Sequence, residues 1–246
     1  MNGLAAGNES FEGRHVVVTG GMGALGGAVV RTLLRAGATC HVPDRSAAGP
    51  GASGARDERL RVVPGVDLTD EGAVRAFYDG LPRLWASIHC AGGFAMAPVE
   101  KISASDFTHM MSLNALSAFL CSREAVRKMR ASARGGGEAP GGRIVNVVAQ
   151  AGVEPRRGAS MTAYTASKAA VAALTEALAE EVAAEGIWVN AVAPSIMDTE
   201  ANRAAMPGAD FSRWPKVEEV AAAIVFLASP ANAAARGTVV KVYGRT

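Results

Sequence analysis

The stretch TAYTASKAAV, residues 162–171, sets a phenol and an ammonium four residues apart in an alanine-rich run: Tyr164 and Lys168. Side chains at i and i+4 are neighbours on one face of a helix. A free phenol holds its proton to about pH 10, too high for easy exchange near neutrality. A cation one turn away favours the phenolate. The pair is therefore either an acid with its pKa adjuster or a solvated helix edge, and the rest of the chain has to choose.

A second group of residues suits phosphate. The turn TGGMGALGG contains Gly20, Gly21, Met22, Gly23, Ala24, Leu25 and Gly26, and Gly21, Gly23 and Gly26 satisfy G-x-G-x-x-G. Between a strand and a helix, this pattern gives a tight turn, a backbone that comes close to a pyrophosphate, and a helix N-terminus whose N–H groups favour anions. About 20 residues on, Asp44 stands where a carboxylate would take both hydroxyls of an adenosine ribose. It would repel a 2′-phosphate, which favours NAD, as NADH, over NADP; Arg45 beside it could hold that phosphate and keeps NADP open. Asp67 either meets the adenine amino group or shapes its own loop. In HCAGGF, Ala91, Gly92 and Gly93 let backbone pass close to the cofactor ribose, and Cys90 reads as packing.

These residues need a scaffold, and the hydrophobic pattern supplies one. Short β-branched runs alternate with helical periodicity: RHVVVTG, ATCHVPD, RLRVVPG, RLWASIHC, RIVNVVA, GIWVNAVAP and GTVVKVYG are strands. Helices are expected after the glycine turn, over 70–80 with Thr69 or Asp70 as cap, over 104–130, over 161–184 and over VEEVAAAIVFLAS. Residues 45–58 read as a mobile loop and SARGGGEAPGG as a surface insertion. Alternation of this kind implies βαβ units with right-handed crossovers: an α/β, single-domain, doubly wound Rossmann fold over residues 1–246. The polar and glycine-rich segments fall at the carboxyl ends of the strands, where such sheets bind ligands.

The bulk properties close off other classes. The chain has 246 residues, 49% of them hydrophobic and 20% charged, with a net charge of +2, so no electrostatic case exists for nucleic acid or an anionic membrane. No apolar run is long enough to span a bilayer. The start lacks the basic and apolar regions of a secretory signal, and Cys40, Cys90 and Cys121 have no metal-like spacing. A cytoplasmic protein with reduced core cysteines and no metal is expected. His15, His41 and His89 lie in strands and read as buried, hydrogen-bonded residues; His109 reads as a surface or interface residue. Arg123, Arg127, Lys128 and Arg130 form a basic stripe that reads as a solvated face.

The glycine turn, AGG, Asn114 in MSLNALSAF, RIVNV, Tyr164-x-x-x-Lys168 and VNAVAPSIMDT together resemble the short-chain dehydrogenase/reductase family from Val16 to Gly244. The resemblance implies a seven-stranded parallel sheet and hydride transfer involving NAD or NADP, with Tyr164 as acid. It implies that Lys168 bonds the nicotinamide ribose and that Asn114 anchors a proton-relay water. It also places Pro194, Ile196 and Thr199 at the cofactor, Thr199 on the carboxamide. The helices 104–130 and 161–184 would pair across a two-fold axis, giving a homodimer or homotetramer acting on a small-molecule substrate.

One position departs from the family. A serine that bonds the substrate carbonyl oxygen is expected shortly after RIVNV, and NVVAQAG puts Ala149 there. Losing such a donor costs roughly 2.7–4 kcal/mol where an oxyanion forms. The chain could be a catalytically weak nucleotide-binding or regulatory protein; Ser160 or Thr162 could substitute as the hydroxyl of a ketone or alcohol oxidoreductase; or the substrate needs no such donor. TGGMGALG, CAGGF, the absent serine and DTEANRAAMPGADFSRW resemble the dihydropteridine reductase branch, which favours the third. That resemblance implies a planar conjugated substrate such as quinonoid dihydropterin, with Phe94 near its ring. The substrate loop would span about 194–216, with Asn202, Arg203, Met206 and Trp214 either lining the pocket or folding the loop.

Overall fold

The computed structural model describes residues 11–46, 57–134 and 141–246; most of the loop 45–58 and most of the insertion at 132–142 lie outside them. Seven strands form one parallel sheet: β1 His15–Thr19, β2 Thr39–Pro43, β3 Leu60–Val63, β4 Ala86–His89, β5 Gly142–Val147, β6 Ile187–Pro194 and β7 Val239–Val242. Their spatial order is β3-β2-β1-β4-β5-β6-β7, with every neighbouring pair parallel. The order reverses between β1 and β4, so a crevice must open where these two strands end. All six residues of β5 are buried, as expected for a strand covered on both faces.

Helices cover both faces. Helix α1 (Ala24–Arg35) and the helix Val217–Ala228 pack on one side, where Val29, Leu33, Ile224 and Leu227 meet Val16, Val18 and Cys40. On the other side lie α2 (Glu71–Asp79), α3 (Ala104–Met111), α4 (Ser117–Arg134), the short α5 (Gln150–Val153) and α6 (Thr162–Glu181). Phe77, Tyr78, Leu120 and Met129 join Val17, Ile144 and Val189 in the second core. Burying each such large apolar side chain stabilises the fold by roughly 1.5–3 kcal/mol before entropy is counted. Between β6 and Val217–Ala228 sits α7 (Glu200–Ala205), so the latter is α8. Asp70 is the cap of α2, its Oδ1 accepting from Ala73 N–H at 2.6 Å.

The long helical stretch expected over 104–130 is helical from Ala104 to Arg134, with one internal turn that departs from α geometry. Residues Ser112–Leu116 form a π-helical turn between α3 and α4, centred on Asn114. The wider turn accompanies the commitment of the Asn114 amide to another segment, described below; such turns often mark functional sites. The basic stripe on α4 is ion-paired rather than merely solvated. Arg123 pairs with Glu71 and Glu124, Arg127 with Glu124 and Asp79, and Arg130 with Glu185. These pairs tie α4 to α2 and to the turn after α6.

The strand histidines are hydrogen-bonded. His15 Nδ1 and His41 Nε2 lie 2.9 Å apart on neighbouring strands, and His89 bonds Ser87 and Asn146. The three cysteines are free, and burial pushes each thiol up to about 12. Among the described residues no helix is long and apolar enough to cross a membrane, and no cluster of three metal-ligating side chains occurs.

Candidate active site

A cleft of about 320 Å³ opens where β1 and β4 end. Its floor is Gly20, Gly21 and Met22 after β1 and Ala91 and Gly92 after β4. One end is formed by Pro43, the last residue of β2, with Asp44 and Arg45 beyond it, and by Val66, Asp67, Leu68 and Thr69 after β3. The far wall is one face of the α3–α4 region: His109, Leu113 and Ser117. Sequence alone does not assign these three to the cofactor; His109 is exposed, in line with its surface reading, and borders the cleft. Their i, i+4, i+8 spacing beside a glycine-rich crevice is the signal that could have found them.

The cleft's donors and acceptors fit a dinucleotide. Gly20 has φ +64°, and a Cβ at Gly26 would run into the Gly20 carbonyl oxygen, so the turn needs glycine at both positions. Gly23 caps α1 without a side-chain bond, which leaves the first N–H groups of a 12-residue helix to an anion. Asp44 follows β2, half-buried, and its Oδ1 accepts from Ser46 N–H at 3.0 Å, which fixes the carboxylate at the cleft rim. Asp67 accepts from the backbone and hydroxyl of Thr69, both at 2.8 Å. Those bonds, helped by the Arg45 charge, hold its carboxyl below the usual range. Asp67 thus shapes its loop while lining the end of the cleft formed by the turns after β2 and β3.

Tyr164 and Lys168 lie on α6 as the spacing requires. The Lys168 ammonium is buried and donates to the Val147 carbonyl at the end of β5 at 2.8 Å. Burial lowers its pKa to about 8. Burial also raises the Tyr164 phenol to about 12, opposite to the lowering expected from the neighbouring cation. The physical reason is that desolvation penalises the phenolate, while the lysine is turned to a backbone carbonyl. In the free protein the phenol is therefore the protonated, donating form. The Phe94 ring stands edge-on to it, centroids 5.0 Å apart at 79°, and is itself largely exposed.

Asn114 is buried, and its amide is fully engaged. Oδ1 accepts from Gly93 N–H at 3.0 Å, and Nδ2 donates to the Gly93 carbonyl and to Ser167 Oγ, each at 3.0 Å. Nδ2 also approaches Met110 Sδ one turn earlier at 3.2 Å, and together these bonds clamp the AGG segment to α6. A Cβ on Gly92 would stand 3.4 Å from Lys168 Nζ, so the clamp, the glycine backbone and the ammonium converge.

Ala149 is buried just before α5 and presents no hydroxyl. Thr162 lines a separate cavity with Val99, Ile102 and Phe107, and Ser160 is exposed in a left-handed conformation, φ 58°, its carbonyl accepting from Ala97 N–H. Pro194, the last residue of β6, is buried, and Ile196 in the loop that follows is exposed. Thr199 caps α7 by accepting from Asn202 N–H at 3.2 Å. Asn202 donates to the Met197 carbonyl, Arg203 forms a two-point ion pair with Asp198, and Trp214 is buried. These three fold the loop; Met206 is half-buried at the end of α7.

A glycine-turned nucleotide cleft beside a half-buried Tyr164 and a buried Lys168, on a seven-stranded doubly wound sheet, defines an α/β oxidoreductase that uses a nicotinamide dinucleotide. The sequence matches the short chain dehydrogenase family model over residues 14–209, and the chain belongs to that family. It is 36% identical to a galactitol 2-dehydrogenase of Rhizobium johnstonii, covering 94% of each chain. It is 34% identical to a cis-4-hydroxycyclohexanecarboxylate dehydrogenase of Sinomonas cyclohexanicum, covering 96% of this chain and 97% of that one. A solved short-chain type dehydrogenase/reductase from Mycobacterium ulcerans superposes with a TM-score of 0.80 at 26% identity, covering 96% of this chain and 90% of that one.

Proposed function

We propose that this enzyme is an NADH-preferring reductase of planar conjugated acceptors, with quinonoid dihydropterin as the model substrate. The observation that carries the reading is the Tyr164 ring standing edge-on to the exposed Phe94 ring, centroids 5.0 Å apart, where burial favours the protonated phenol. A bound reduced nicotinamide supplies the hydride. Tyr164 then donates its proton to a ring nitrogen of the acceptor. Lys168, steered by the Val147 carbonyl, bonds the nicotinamide ribose and favours the phenolate left behind. An electron-poor ring disperses the incoming charge, so a hydroxyl at position 149 is dispensable. Asp44 favours the unphosphorylated ribose. Residues 1–246 act as one domain, 194–216 cover the substrate, and the protein works in the cytoplasm as a dimer or tetramer built on α3, α4 and α6.

The relatives favour a second reading, oxidation of a secondary alcohol, because the two named above act on a polyol and on a hydroxy acid by their names. The test is NADH oxidation with quinonoid dihydropterin, run beside ketones, and NAD reduction with polyols. The first reading expects the pterin to dominate, and expects Tyr164→Phe to lose about 10²- to 10⁴-fold in kcat with NADH binding retained. Faster turnover of polyols selects the second reading. Unchanged turnover in Tyr164→Phe rejects the acid. A chain that binds NADH and turns over none of these would be the nucleotide-binding alternative, against which an intact Tyr164–Lys168 pair argues.

A further inference from the structure

We infer that residues 243–245, outside the cleft, position the substrate loop, and that Arg213 and Gly244 are the positioning residues. The inference rests on reading 194–216 as that loop.

The loop is a packed unit. Arg203 pairs with Asp198 and lies 5.0 Å over the Phe211 ring, which packs 4.9 Å from Trp214. Asp198 N–H donates to the Pro215 carbonyl at 2.9 Å and closes the base. Both ends of this unit grip the same short segment. At the entry, Ser195 N–H donates to the Val242 carbonyl at 3.2 Å and Ser195 Oγ to the Tyr243 carbonyl at 3.0 Å. At the exit, Arg245 N–H donates to the Arg213 carbonyl at 2.8 Å. The Arg213 guanidinium returns two bonds to the Arg245 carbonyl, from Nε at 3.1 Å and Nη2 at 3.0 Å.

Gly244 makes this exchange sterically feasible. It has φ +61°, and a Cβ there would stand 2.8 Å from both Arg213 O and Pro215 N. Any side chain would push the segment off the loop. Ile196, Thr199, Asn202 and Met206 ride on the unit so held, and a misplacement of about 1 Å at a reacting centre can cost 10²-fold.

The test uses Arg213→Ala, Gly244→Ala and Arg213→Lys in the full chain. Arg213 is exposed, so its replacement leaves the core intact. Loss of the guanidinium bonds should raise the substrate KM about tenfold. The NADH Kd should change less than KM, since the glycine turn and Asp44 lie off the loop, and Arg213→Lys should recover most of the loss. Amide hydrogen exchange over residues 200–213 should quicken in both alanine variants while the sheet keeps its protection. Unchanged exchange in that stretch overturns the inference, as does an NADH affinity that falls in step with KM. Failure of the wild-type chain to turn over any test substrate would count against the functional reading alone, because the exchange measurement reads the latch without substrate.

Discussion

The Phe94 ring meets the Tyr164 ring edge-on, with centroids 5.0 Å apart and planes at 79°. One face of an apolar side chain thus shields the proposed proton donor while the rest of Phe94 stays open to an incoming ring. Such aromatic pairs are worth about 0.5–1.5 kcal/mol beyond area burial. Phe94→Ala should therefore raise KM for a flat conjugated acceptor by roughly three- to tenfold. It should change KM for a small aliphatic ketone less. Steady-state kinetics on both substrates checks this; equal effects would remove Phe94 from substrate recognition.

Ala149 tests why the hydroxyl is absent. Ala149→Ser would supply the hydroxyl that the family places at a substrate carbonyl oxygen, a contact worth about 10²- to 10³-fold in kcat. Ketone reduction should gain and pterin reduction should move little. The ratio of the two kcat/KM values is the measurement, and an equal gain for both would sink the account of the missing serine.

Asp44 tests cofactor choice. Its carboxylate sits at the cleft rim with one oxygen bonded to Ser46 N–H. Asp44→Ala should weaken NADH by about tenfold through loss of charge-assisted ribose bonds, and should strengthen NADPH by removing repulsion. Titration of both cofactors by fluorescence decides; an unchanged preference would leave the carboxylate with only its turn.

Three strand histidines predict acid lability. Burial lowers His41 and His89 to about 4 and His15 below its ordinary 6.5; Arg61 also disfavours the charged form of His15 and His41, and Arg83 that of His15. The folded state holds fewer protons than the unfolded chain between these values, so stability rises with pH in that window. It is fully present above about 6.5 and is lost as pH falls towards 4. Urea unfolding at pH 7.5, 6 and 5 should show a declining midpoint, and His41→Gln should flatten part of that decline. A midpoint that stays level across this range would contradict the burial argument.

Assembly can be tested on α4. Phe119 is 44% exposed, and Leu116 and Phe107 also stand open on this side of the molecule. Phe119→Glu should shift the mass seen by light scattering at micromolar concentration towards the monomer. A wild-type chain that is already monomeric there would contradict pairing through these helices.

Much of this protein is written in local pattern. Seven β-branched runs, the glycine turn and the Tyr164–Lys168 spacing depend on near neighbours in the chain, so composition and periodicity suffice to place β1, α1 and α6 and to narrow the cap of α2 to Thr69 or Asp70, between which the structure selects Asp70. The pair of catalytic candidates, the alanine at 149 and the order of glycines 21, 23 and 26 required no coordinates. What escaped depends on contacts distant in sequence. The π turn at Asn114 accompanies bonds to Gly93, 21 residues away, and to Ser167, 53 residues away. His109 reaches the cleft only because α3 crosses its mouth. The phenol is pushed up rather than down because burial is a property of the whole enclosure, and because Lys168 spends its ammonium on Val147. Local sequence dictates which groups can do chemistry; desolvation and long-range hydrogen bonds, which exist only once the chain has folded, decide their protonation and their partners.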